Sequence, residues 1–453
     1  MRGLTSATGP HFWLIVAPPK LGKTWFLHRL SAELQAIQSD HWLTKHVDLR
    51  SHPLDAPHEA ERLVALLFGL NSVPTAEPPT TRGIARQVLV SRHSYLCLVD
   101  SAELLDENSA SALRSYLGQV HDLVQSAART DIRLGVVVAS RRDNEWRGVT
   151  PNPRLSLLPL GAFDLDAVQE ALVVLAEDMG LTFDVPTYQH HAAQVYHITD
   201  GLPALLTQCL EWIRDEQWLG MERLESYELF ETFAKPYIDN VLLADDSLLS
   251  STYRKPDGMR HVLEQALRFL VPYRLFTQSH LRYHLAGDPF FAAAVRAAGW
   301  SLEDLWRALS GTALLQRPLD EPWQEIHPAI RRLLYRHYYR SDEQRAGAHR
   351  EARKFVQIWA DKQSGEEQVT GLVEGLWHEA SFLRLTRSAE TASILKEYAR
   401  RLSRALRPSA AYTAAELQAY AADRIKQDEE FQEAVGNIAG LAERLAEIVA
   451  APL

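Results

Sequence analysis

The chain has 453 residues, 46% hydrophobic and 23% charged, with a formal charge of −10 at neutral pH. It is too long for one core at roughly 100 to 200 residues per domain, and too apolar to be disordered. No apolar run approaches the roughly 20 residues of a bilayer span, and the first one ends in a turn rather than a small-residue cleavage site, so a cytoplasmic protein without membrane partners is expected. The acidic balance argues against a nucleic-acid partner, because phosphate contacts require clustered Lys and Arg, although it leaves room for a local basic patch. Cys97 and Cys209 are the only cysteines, each in an apolar segment, which reads as two buried thiols rather than a disulfide or metal site.

In chain order, strand-like runs occupy 11–17 (HFWLIVA), 43–49 (LTKHVDL), 94–100 (SYLCLVD) and 132–140 (IRLGVVVAS). They are rich in Val, Leu, Ile and aromatics without polar alternation, so both faces are covered. Helical patterns at 23–38, 58–69, 82–92 and 108–129 separate them, which predicts a parallel sheet with helices on both faces. Ligands of such sheets bind at the carboxyl ends of the strands.

The first strand runs into APPKLGKT (17–24), which fits GxxxxGK[ST] except that Ala17 takes the place of the first glycine. A turn whose N–H groups face inward, followed by the positive end of a helix, suits a phosphate. Gly22 keeps side chains out of the way, Lys23 reaches the β and γ phosphates and the Thr24 hydroxyl ligates magnesium. The binding segment is then Pro19, Lys20, Leu21, Gly22, Lys23, Thr24 and Trp25, with ATP or ADP and Mg2+ as ligands. A plain strand–helix turn would not call for a lysine at the helix start, where the dipole disfavours a cation.

In YLCLVDSAELLD, Asp100 ends a strand expected to lie next to the first, where it holds magnesium through water opposite Thr24. The bland alternative is an aspartate capping the next helix. Ser101 stands where many fast ATPases place Glu, so hydrolysis should be slow, with Glu103 as the candidate base. In VVVASRRDNEW, Arg141 is placed to sense the γ phosphate and Arg142 is its alternative. Either arginine has Asp143 and Glu145 as ordinary surface partners.

The succession of lysine loop, Asp100, Arg141 and then DGLPALL (200–206) resembles the STAND class of P-loop NTPases, relatives of AAA+ proteins and of the nucleotide-binding modules of animal and plant immune receptors. The resemblance covers residues 10–340. It implies that Pro203 of the Gly201, Leu202, Pro203 turn packs on the adenine, and that 260–340 form a winged helix in which His327 contacts the diphosphate of bound ADP. Read from the residues alone, TDGLPALLTQCLEWI is a helix with Pro near its start, and His327 is a capping or packing residue before Pro328. Residues 341–453 read as amphipathic helices, similar to the start of the helical repeats that many STAND proteins use as sensors, or a plain helical cap.

The implied domains are 1–160 (P-loop nucleotide-binding), 161–255 (helical lid), 256–340 (winged helix) and 341–453 (helical). The expected function is an ATP/ADP-dependent switch in signalling or defence. It would control assembly with, or release of, a protein partner or effector in trans, with slow ATP hydrolysis and a homo-oligomer in the ATP state. The alternatives are an AAA-type ATPase acting on DNA, as an initiator or transposition regulator, and a nucleotide-inactive scaffold. The 18 His and 11 Trp form neither a metal-ligand spacing nor a stacking platform.

Overall fold

Branched and aromatic side chains suit the pleated surface of a strand, and leaving them wet is costly. In the computed structural model, runs of such residues form β1 (His11–Val16), β2 (Trp42–Asp48), β3 (Ser94–Asp100), β4 (Leu134–Ser140) and β5 (Leu155–Pro159). The five make one parallel sheet in the order β2-β3-β4-β1-β5. Every residue of β3 and β4 is buried, as covering both faces requires. Alternate residues of β1 point to opposite faces. Leu14 joins Leu63, Ile84, Val88 and Leu113 of α2 (Glu59–Leu67), α3 (Thr81–Ser91) and α4 (Glu107–Ser126). Ile15 packs on the other face with Leu27 and Leu34 of α1 (Lys23–Gln38).

The structure describes residues 11–38, 42–51, 59–69, 80–105, 107–127, 132–141, 155–219, 221, 223, 227–244, 259–312, 314–316, 323–436, 438 and 440–451. They fall into two compact units, 1–242 and 243–453.

Two expectations about the sheet change. The strand at 155–159 is an addition, paired to the free side of β1. The strands carrying the lysine loop and Asp100 are not adjacent: β4 lies between β1 and β3, with Trp13 opposite Val137 and Val137 opposite Leu98. Strand order in a parallel sheet is set by the crossovers and not by the strands themselves.

The first unit continues with α5 (Leu165–Asp178), α6 (Val185–Thr199), α7 (Pro203–Asp215) and α8 (Tyr227–Tyr237), around a core that includes Val168, Leu172, Val195, Cys209 and Ile213. Asp164 and Asp184 cap α5 and α6 through the N–H groups of Ala167 and Thr187. Pro203 occupies the start of α7, where its missing N–H costs nothing. The other cysteine, Cys97, is buried in the sheet core, and burial pushes both thiols up to about 12.

The second unit opens with α9 (Met259–Leu270), α10 (Gln278–Gly287), α11 (Pro289–Ala297) and α12 (Leu302–Ser310). The antiparallel pair β6 (Leu315–Gln316) and β7 (Glu325–Ile326) follows, extended by a bridge between Phe276 and Gln324. A short ribbon thus follows these four helices. After α13 (Pro328–Tyr338) come α14 (Asp342–Ala360), α15 (Gly365–Leu385), α16 (Thr391–Ala405), α17 (Ala414–Gln427), α18 (Glu429–Val435) and α19 (Leu441–Ala450). Helix α15 is buried along most of its length and is the axis of this helical region. Among the described residues no helix is long and apolar enough to cross a membrane.

Candidate nucleotide site

The turn after β1 shows why Ala17 is tolerated. Left-handed backbone occurs at Lys20 (φ 62°) and Gly22 (φ 80°), and Ala17 is not among the positive-φ residues. Ala17 is fully buried and donates its N–H to Ser140 O at 3.3 Å, which ties the loop to the end of β4. Helix α1 starts at Lys23, with Phe26 N–H bonded to Gly22 O at 2.8 Å. The N–H groups of Lys23, Thr24 and Trp25 therefore precede the first intrahelical bond and form its positive end. This is a cradle for an anion.

Lys23 is 9% exposed, and its Nζ donates to Ala17 O at 2.5 Å and Pro18 O at 2.8 Å. Burial lowers its pKa to about 8, with the charge of Glu103 acting in the opposite direction. The ammonium is still the main form at neutral pH. Thr24 Oγ1 donates to Asp100 Oδ2 at 2.5 Å, past the carboxyl end of β4. Asp100 is 3% exposed and its Oδ1 accepts the Ser101 N–H at 2.8 Å. A hydroxyl in contact with a carboxylate at the mouth of a phosphate-type loop is a donor set that fits hydrated Mg2+.

Two further expected residues meet at the same edge. Glu103, in a short 3-10 turn (Ala102–Leu104), pairs with Arg141: Nε to Oε1 is 2.9 Å and the Arg141 N–H donates to Oε2 at 3.1 Å. Arg142, Asp143 and Glu145, the alternative arginine and the expected surface partners, lie outside the described residues. Pro203 is beside the loop, since a Cβ built on Gly22 would stand 3.8 Å from its Cγ. Leu21 is buried, and Trp25 is 63% exposed on the first turn of α1. Pro19 is buried, and its carbonyl accepts the Tyr237 hydroxyl at 3.3 Å. His327 lies in the second unit, at the N-cap of α13, where it is buried and makes no side-chain capping bond.

Two participants, Asp48 and Tyr237, were not foreseen. Asp48 ends β2 directly opposite Asp100. Burial opposes its ionisation, yet the Arg50 N–H at 3.0 Å and the Ser101 hydroxyl hold it below the usual carboxylate range. Ser101 itself has a left-handed backbone (φ 59°). Tyr237 brings α8 to the loop, with its hydroxyl pushed up by burial. A carboxylate at the end of an apolar strand was a usable signal for Asp48, whereas nothing local marks Tyr237.

No family model matches the sequence, and no curated protein is similar to it at sequence level. Similar solved structures include the ORC2 protein of Aeropyrum pernix in ADPNP and ADP complexes, at 13% identity, 77% of this chain, 90% of that chain and a TM-score of 0.42. The A. pernix ORC1 protein in complex with DNA has 13% identity, 72% and 86% coverage and a TM-score of 0.36. The RuvB Holliday junction branch migration motor of Thermotoga maritima has 14% identity, 72% and 86% coverage and a TM-score of 0.32. The fold is a parallel five-stranded sheet with helices on both faces, followed by a largely helical region. One expectation is corrected here. The acidic balance was taken to argue against nucleic acid, but the ORC1 structure similar to this chain is a complex with DNA. Net charge sums the whole surface and does not decide what one face binds.

Proposed function

We propose that the chain is an AAA+ ATPase that binds ATP and ADP with Mg2+ in its first unit and acts on DNA, in the manner of an initiator or transposition regulator. The contact of Thr24 with Asp100, beside a buried Lys23, carries the nucleotide part of the reading. Lys23 and the N–H groups at the start of α1 hold the phosphates, Thr24 and Asp100 hold the metal, and Pro203 borders the adenine. When bound, Mg2+ would supply positive charge that offsets the negative charge of the phosphates. Arg141 meets the γ phosphate and Glu103 orients the attacking water. With Ser101 in place of a carboxylate next to Asp100, turnover is slow.

The DNA part is supported by the helix-and-ribbon arrangement at the start of the second unit, a common reader of duplexes. A second reading, a STAND-type switch that recruits or releases a protein, is supported by the Gly201, Leu202, Pro203 turn lying against the phosphate loop. In both, four segments bounded near 160, 255 and 340 move between ADP and ATP states.

Lys23→Ala should abolish ATP binding in calorimetric titration, and full affinity in that variant would end the nucleotide reading. Fluorescence anisotropy with a labelled duplex separates the two outputs. DNA action predicts binding that weakens steeply between 50 and 200 mM salt, as about six or more phosphate contacts would require. Absence of binding with ATP and with ADP leaves the protein-partner reading.

A further inference from the structure

Arg141 and Glu103 face each other at the phosphate end of the site, and each was assigned a separate task. We propose that Glu103 sets the choice between ATP and ADP by competing with the γ phosphate for the Arg141 guanidinium. The proposal rests on the nucleotide reading above.

The position of Arg141 is fixed at its root, because the preceding residue, Ser140, accepts the Ala17 N–H of the phosphate loop. Glu103 is engaged through both oxygens, Oε1 by Arg141 Nε at 2.9 Å and Oε2 by the Arg141 N–H at 3.1 Å. The pair is largely sheltered, with side-chain exposures of 22% for Arg141 and 11% for Glu103. It also lies within the field of the phosphate-binding ammonium. Of the charged groups acting on Lys23, Glu103 is the strongest and Arg141 the next, ahead of Asp100.

A guanidinium is a planar fork with a limited set of directions for its donors. ADP ends at the β phosphate and leaves the pair intact. ATP places a further anion where Arg141 is needed, so the guanidinium must turn from Glu103 or be shared. That cost falls on ATP alone, and it tilts the site towards ADP. The same exchange frees the Glu103 carboxylate only when a γ phosphate has arrived, which couples release of the base to the presence of the bond to be cut.

The test is a double-mutant cycle read as an affinity ratio. Glu103→Gln keeps the shape and removes the charge. ADP and a non-hydrolysable ATP analogue are titrated into wild type, Glu103→Gln, Arg141→Ala and the double variant, with thermal melts confirming that each is folded. The ATP-analogue over ADP ratio should rise about tenfold in Glu103→Gln, equivalent to about 1.4 kcal/mol. It should fall in Arg141→Ala, and the double variant should match Arg141→Ala. Glu103→Asp, which shortens the reach to Arg141, should give an intermediate rise and serves if the glutamine variant does not fold. An unchanged ratio in Glu103→Gln overturns the proposal. So does an equal rise with and without Arg141, because Glu103 would then repel the phosphate directly. If wild type binds neither nucleotide, the underlying reading falls and this inference with it, whereas tight binding with a flat ratio defeats this inference alone.

Discussion

Replacing Gly201 with alanine tests whether the turn that carries Pro203 is held as described. Gly201 has φ +66°, and an added Cβ would stand 1.9 Å from Phe163 O and 2.9 Å from Phe163 C. Both are backbone atoms, so no rotamer relieves the clash. The left-handed backbone alone costs an alanine about 1–2 kcal/mol. Relief of the overlap must also pull apart the bond from Phe163 N–H to Gly201 O, now 2.9 Å, which adds about 1 kcal/mol before any repacking. The sum is about 2–3 kcal/mol, which in a unit of this size lowers the melting temperature by roughly 4–12 °C. Gly180 is the internal control, because its φ is +70° and nothing lies within 4 Å of the added carbon. Gly180→Ala should therefore lose only the backbone part, about 1–2 kcal/mol. Differential scanning calorimetry of both variants measures the difference, and nucleotide titration should show weaker binding only for Gly201→Ala, since Pro203 would shift from the loop. Equal destabilisation of the two variants would refute the close approach at Phe163.

In the second unit, Arg274 bonds Glu374 at 2.7 Å and Asp428 at 2.6 Å and lies 4.5 Å from the Trp377 ring centroid. Arg274→Ala leaves both carboxylates without that partner in a sheltered place, and denaturant titration should show a loss of about 3–5 kcal/mol from this unit, an unchanged midpoint being contrary. Acid should destabilise the same unit. Burial holds His349 at about 3 and His284 at about 4, so below the unfolded value of 6.5 the unfolded chain takes up protons that the folded chain refuses. Stability is then full above pH 6.5 and falls as the pH drops towards 4, by about 2 kcal/mol per histidine at pH 5, and melts that do not change between pH 7 and 5 would contradict this.

What was legible in the chain follows from the range of the forces involved. The runs 94–100 and 23–38 are recoverable because apolar continuity and helical spacing are local properties, and both elements form at those residues. LSLLP at 155–159 is short and ends in Pro, so only its place on the edge of β1 makes it a strand. Asp143 and Glu145, the ordinary surface partners offered for Arg141, lie outside the described residues, and its pairing with Glu103 was not read from the chain because it arises where the ends of β3 and β4 lie side by side. Asp48 escaped for the same reason, since its register with Asp100 belongs to the sheet and not to either strand. The site itself is marked by residues that contradict local rules. Lys23 begins a helix at its electropositive end, and Lys20 and Ser101, neither of them glycine, hold left-handed backbone at φ 62° and 59°. Each of these backbones costs about 1–2 kcal/mol that packing elsewhere must offset. The lysine is visible in the sequence, whereas the strain at Lys20 and Ser101 exists only once the two turns face each other across the end of β4. A motif search therefore finds the loop and the carboxylates that follow β3 but not the backbone of the second turn, whose Ser101 N–H is bonded to Asp100 Oδ1 at 2.8 Å.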